Sequence, residues 1–120
     1  VKAVLINTPN NPSGVVYSTP TLQRLADILR EKSKEYGHII YLISDEPYRE
    51  IVFEGVDSPC VSYFYDNTIM CYSFSKSLSL PGERIGYVAV NPACEDAETM
   101  IRTIEIFYQI MVERRDSLEK

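Results

Sequence analysis

The sequence predicts an α/β fold: three parallel strands and one antiparallel edge strand, with flanking helices. Three observations predict it. Short, continuous apolar runs stop at clusters of turn-forming residues, as strands of a parallel sheet do. An amphipathic helical pattern separates the first two runs. Only about eleven residues separate the last two runs, fewer than the dozen or more that a parallel crossover needs.

Ala3-Val4-Leu5-Ile6 is the first run, closed by Asn7-Thr8-Pro9-Asn10-Asn11-Pro12-Ser13-Gly14. Its continuity predicts a strand buried on both faces. A helix follows, with Thr19 as its cap, Pro20 at the first helical position and Gly37 at its end. Leu22, Leu25, Ala26 and Leu29 recur on one face of it. His38 to Ser44 is the second strand, stopping at Asp45-Glu46-Pro47-Tyr48, with a helical turn expected from Tyr48 to Ile51. Residues Phe53 to Asn67 wind over the surface, with one helical turn near Val61 to Phe64. Thr68 to Ser73 is the third strand and Ile85 to Val90 the fourth. A long helix spans about Glu95 to Leu118, and Ile106, Tyr108 and Ile110 widen its apolar stripe beyond one face, so part of it wants a partner surface.

A chain of 120 residues suits one domain with one core. A formal net charge of −5 argues against a nucleic-acid binder and against anchoring to an anionic membrane surface. No apolar run approaches the length of a membrane span, and no signal-peptide pattern opens the chain. Cys60, Cys71 and Cys94 are odd in number and lack metal or redox spacing, which favours reduced thiols in a cytoplasmic protein. His38 has no partner at ligand spacing, so no metal site is expected. The chain begins directly on a strand and reads as a piece of something longer.

The chemistry collects at one rim. In open α/β sheets, ligands bind beyond the carboxyl ends of the parallel strands. Asn10 and Asn11 follow the first strand, Asp45 and Tyr48 the second, and Ser73, Ser75 and Lys76 the third. Arg84 opens the antiparallel fourth strand, which starts at that same edge. Each residue has a plain reading: a solvated lysine, an aspartate capping a turn, a packing tyrosine, an arginine paired with Glu83. Their convergence favours a site. Ser73, Ser75 and Arg84 suit a phosphate, and Lys76 is the one amine among them, a combination that suggests a phosphorylated aldehyde held as an imine. Neither G-x-x-x-x-G-K-[ST] nor G-x-G-x-x-G is present, so a nucleotide site is disfavoured.

Asn10-Asn11-Pro12-Ser13-Gly14, then Ser44-Asp45-Glu46-Pro47-Tyr48, then Ser73-Phe74-Ser75-Lys76 with Arg84 eight residues on, resembles the pyridoxal-phosphate-dependent aminotransferases of class I, with the aspartate aminotransferase-like fold. The resemblance covers about Val1 to Pro92. It implies pyridoxal 5'-phosphate as cofactor and amino-group transfer between an amino acid and a 2-oxo acid. It implies catalytic roles for Lys76, Asp45 and Tyr48. Lys76 would form the Schiff base with the cofactor aldehyde and shuttle a proton as base and acid. Asp45 would pair with the pyridine nitrogen. Asn11 and Tyr48 would hydrogen-bond the ring's phenolate oxygen, and Ser73, Ser75 and Arg84 would bind the phosphate. It also implies a cis Asn11–Pro12 bond, a homodimer and a cytoplasmic location.

The departures from the family pattern bound this reading. The preceding phosphate loop, the aromatic stacked on the ring and the C-terminal arginine that grips the substrate carboxylate have no counterpart in residues 1–120. That span is therefore expected to be part of the large, cofactor-binding domain, without the small domain, and inactive in isolation. Glu113 to Leu118 resembles a helix that comes later in the family. Two alternatives stay open: a lyase or decarboxylase on the same fold, and a non-catalytic α/β fragment that associates through its cut sheet edge.

Overall fold

The computed structural model describes residues 1–118, with side chains described through Met111. Its elements are β1 (Ala3–Asn7), α1 (Thr19–Tyr36), β2 (Tyr41–Asp45), a 3-10 turn at Val61–Tyr63, β3 (Thr68–Ser73), α2 (Phe74–Ser77), β4 (Gly86–Val90) and α3 (Ala97–Leu118). The side chains of the Glu113 to Leu118 stretch lie outside the described residues.

The four strands form one sheet in the order β1-β2-β3-β4. β1 and β2 are parallel, as are β2 and β3, while β3 and β4 are antiparallel, as the short link between them predicts. The register aligns the strand ends: Asn7 stands opposite Asp45, Asp45 opposite Cys71, and Ser73 opposite Gly86. Thus the carboxyl ends of three strands and the start of the fourth share one edge.

The core lies on one face of this sheet. Leu22, Ala26 and Leu29 of α1 bury against Leu42 of β2, with Ile40, Val61 and Tyr65 completing the cluster. Val4 and Ile6 of β1 pack onto it. The other face is thinly covered. Leu5 is 68% exposed, so β1 is not buried on both faces as its continuous apolar run predicts. α3 has its main contacts with β4, and its Ile104 and Tyr108 reach over the cavity that Asp45 and Cys71 also line. Its Ile101, Ile106, Phe107, Tyr108, Ile110 and Met111 are exposed, in keeping with a helix whose apolar stripe is too wide for one contact.

Local chemistry moves several boundaries by a few residues. Ser18, in extended backbone, caps α1 by accepting from the Thr21 N–H, so Thr19 is already helical and Pro20 is one position further in. Gly37 ends the helix at φ 65°, and the His38 N–H bonds back to the Ser33 carbonyl. That closure is a Schellman-type end, and it takes His38 out of β2, which begins only at Tyr41. Residues 47–50 form turns, through bonds from Arg49 N–H to the Glu46 carbonyl and from Ile51 N–H to the Tyr48 carbonyl, and no helix. Cys60 and Cys94 are buried, Cys71 is half-buried, and all three are unpaired. Among the described residues, no helix is long and apolar enough to cross a membrane.

Candidate active site at the carboxyl edge of the sheet

The β1–α1 loop is shaped by its asparagines. The Asn10 side-chain oxygen accepts from the Ser13 N–H at 3.2 Å and the Ser13 hydroxyl at 2.6 Å. Gly14, at φ 72°, lets the chain turn back so that its N–H reaches the Asn10 carbonyl. Both Thr8–Pro9 and Asn11–Pro12 are cis; the sequence reading anticipates the second and not the first.

Asn7 ties this loop to the end of β2, and sequence reading passed over it. Its side-chain N–H donates to the Asp45 carboxylate at 3.2 Å and to the Asp45 carbonyl at 3.0 Å. Its side-chain oxygen accepts from the Asn11 N–H at 2.8 Å. One amide therefore sets two of the expected site residues relative to each other. The signal was in the register, since Asn7 is the residue that closes β1 opposite Asp45.

Asn11, Tyr48 and Lys76 come together from three separate parts of the sequence. The Asn11 side-chain N–H donates to the Tyr48 hydroxyl at 3.0 Å. The Lys76 amine lies 5.7 Å from the centre of the Tyr48 ring, within cation–π range. These three line a cavity of about 470 Å³, walled by Pro9, Pro12 and the apolar run Ile51 to Phe53. Asp45 and Ser73 instead line a neighbouring cavity of about 510 Å³ with Cys71, Gly86 and Tyr87, under Ile104 and Tyr108 of α3.

Ser73 closes β3 and caps α2: its hydroxyl accepts from the Ser75 N–H at 3.2 Å and donates to the Ser75 hydroxyl at 2.8 Å. The two hydroxyls are thus paired with each other. Ser75 itself lines neither cavity, and Arg84 stands further apart. Its guanidinium donates to the Pro81 carbonyl at 2.9 Å, it is exposed, and it lines neither cavity. Its backbone stands at φ 53°, a left-handed conformation that is uncommon away from glycine and frequent at functional sites.

Two neighbouring carboxyls feel the low-dielectric interior differently. Burial pushes Asp45 above its ordinary 3.8, with no cation among the described residues to offset it. Glu46 is 1% exposed, and burial pushes it above 4.5, while a bond from the Ser44 hydroxyl at 2.8 Å and the Arg49 guanidinium at 3.8 Å pull it back. Because the folded state holds the Glu46 proton more tightly, the unfolded chain releases it first. Stability therefore falls as pH climbs from about 4.5 through the raised folded value, and the loss stops above it. Urea denaturation of the native chain and Glu46→Gln at pH 4.5 and pH 7 reads this directly. The native chain is expected to lose stability relative to the glutamine variant between the two pH values; equal changes in both would contradict it.

Comparison with known proteins agrees with the motifs. The family model described as aminotransferase class I and II matches residues 1–111. The chain belongs to that family. It is 36% identical over 104 residues to an aspartate aminotransferase of Thermotoga maritima, covering 85% of this chain and 26% of that protein. Among solved structures, an aminotransferase from Eubacterium rectale is 59% identical with a TM-score of 0.79, over 81% of this chain and 24% of that one. A PLP-dependent aminotransferase from Streptococcus suis is 39% identical with a TM-score of 0.64, over 86% of this chain and 25% of that one. The chain therefore spans about a quarter of the length of these class I and II aminotransferases.

The donor set here fits the pyridoxal phosphate of that family in its chemistry. There is one amine beside a phenol–amide pair, a half-buried carboxylate with no cation among the described residues, and a hydroxyl pair at the end of a strand.

Proposed function

We propose that this chain supplies the lysine-bearing part of the large domain of a pyridoxal-phosphate-dependent aminotransferase. The enzyme would move an amino group between an amino acid and a 2-oxo acid, as a cytoplasmic homodimer. The observation that carries the reading is the meeting of Asn11, Tyr48 and Lys76 in one cavity, next to the end of the strand that holds Asp45.

When bound, the cofactor contributes an aldehyde that takes up amino groups and a ring that accepts electrons. The chain's own residues then have distinct tasks. Lys76 would hold the cofactor aldehyde by its amine and would serve as the base and acid that moves the substrate proton. Asp45 pairs with the ring nitrogen, and Asn7 keeps its carboxylate oriented. Asn11 and Tyr48 share the ring oxygen. Ser73 and Ser75 would hold the phosphate, and Arg84, now bonded to the Pro81 carbonyl, would join them as a bidentate donor. The exposed apolar side chains of α3 support association through that side of the chain.

The test is covalent trapping. The chain is mixed with pyridoxal phosphate, reduced with borohydride, digested and mapped by mass spectrometry. Label concentrated at Lys76, and lost from that peptide in Lys76→Ala, is expected. Label spread evenly over the exposed lysines Lys2, Lys34 and Lys76 would overturn the proposal.

A further inference from the structure

The turn at residues 47–50 reaches the lysine-bearing segment twice. The first contact is Tyr48 with Lys76. The second involves none of the residues assigned to the cofactor. The Tyr72 hydroxyl lies 2.6 Å from the Glu50 carboxylate and 2.7 Å from the Ser77 hydroxyl. A phenol has one proton, and an ionised carboxylate only accepts. The Tyr72 proton therefore goes to Glu50, and the Ser77 hydroxyl donates to the phenol oxygen. Glu50 correspondingly holds the Tyr72 phenol above its ordinary range.

Tyr72 is 8% exposed and its ring is fixed on two sides, stacked on Tyr87 at 5.1 Å and edge-on to Phe74 at 5.3 Å. α2, by contrast, is only four residues long, far too short to hold its own shape. Ser73 holds its start and Tyr72 holds its end, at the residue next to Lys76.

We infer that Tyr72 and Glu50 are positioning residues for Lys76. By fixing Ser77 to the same turn that carries Tyr48, they set where the Lys76 amine meets the Tyr48 ring. Neither touches Lys76. Both act through the four-residue segment it stands on. The consequence for cofactor capture rests on the function proposed above, whereas the placement of the amine does not.

Two readouts separate the two. The first is the proton shift of the Lys76 ε-methylene group, which the Tyr48 ring displaces from the value of a solvated lysine. The second is the ratio of pyridoxyl label at Lys76 to label at Lys34 after borohydride reduction. Tyr72→Phe keeps the packing and removes only the hydroxyl. It is expected to return the ε-methylene shift to the solvated value and to lower the label ratio about tenfold. Glu50→Ala should do the same, Glu50→Gln should retain most of both because its amide oxygen still accepts from the phenol, and the Tyr72→Phe/Glu50→Ala pair should go no further than either alone. An unchanged ε-methylene shift in Tyr72→Phe overturns the inference, even if the variant melts at a lower temperature. A shift lost in Tyr72→Phe, with even labelling already in the native chain, supports positioning while defeating the cofactor reading.

Discussion

Truncating Leu42 to alanine is expected to destabilise the chain by about 3 kcal/mol. Leu42 is 1% exposed and sits on the core face of β2, among Leu22, Ala26, Leu29, Val61 and Tyr65. Removing its side chain forfeits the transfer energy of the lost carbons and leaves a cavity that α1 and the 3-10 turn cannot both close. The loss is severe here because native domains are stable by only about 5–15 kcal/mol, and the main core cluster of this chain lies on the Leu42 face of its sheet. Leu5→Ala is the matched control. It deletes the same atoms from the adjacent strand, but on the open face, where the side chain is 68% exposed. Its expected cost is within about 0.5 kcal/mol. Urea denaturation of both variants, with the slope unchanged, decides the matter. Similar losses at the two positions would show that the open face is packed in solution, and the one-sided core would have to be abandoned.

That asymmetry marks the limit of what the residues could reveal. The strand order was legible because it depends on quantities written in the sequence: apolar run length, helical spacing, and an eleven-residue link too short to cross over. The burial of each face was not. Ala3 to Ile6 is apolar throughout, and only the placement of the helices around the sheet decides that Val4 and Ile6 are covered and Leu5 is not. Similarly, His38 to Ser44 reads as one strand, but the Schellman-type end of α1 consumes His38 through a backbone bond that no side chain announces.

The candidate site divides in the same way. Register is a backbone property, so the alignment of Asn7, Asp45 and Ser73 at one edge could be inferred from topology. The direction of Arg84 could not. Arg84 takes a left-handed φ at a residue other than glycine, and its guanidinium bonds to the Pro81 carbonyl, neither of which its place in the sequence announces. Nor could the Tyr72 link be foreseen, since Glu50 and Ser77 are joined only through a ring held by tertiary stacking.

Asp45→Asn is expected to weaken the binding of pyridoxal phosphate about 10- to 100-fold. The size follows from losing one charge-assisted hydrogen bond to a cationic ring nitrogen, worth about 1.5–3 kcal/mol. Asparagine has the same shape and can still meet the Asn7 amide, so the change removes charge and leaves geometry. The pH dependence gives the sharper check. Burial raises the Asp45 carboxyl above 3.8, with no cation among the described residues to offset it. A cationic ring nitrogen attracts only the ionised form. Binding should therefore strengthen as pH rises through the raised Asp45 value and level off above it, provided the ring nitrogen still carries its proton. The sign of the stability effect without cofactor is opposite. The folded chain holds the Asp45 proton more tightly than the unfolded chain, so over the same window ionisation weakens the fold. Asp45→Asn removes both dependences together. Titrating absorbance with pyridoxal phosphate between pH 4 and pH 8, beside urea denaturation at each pH, measures them on the same samples. If the variant binds as tightly as the native chain, the carboxylate does not meet the ring, and Asp45 serves only to hold Asn7 and the loop it organises.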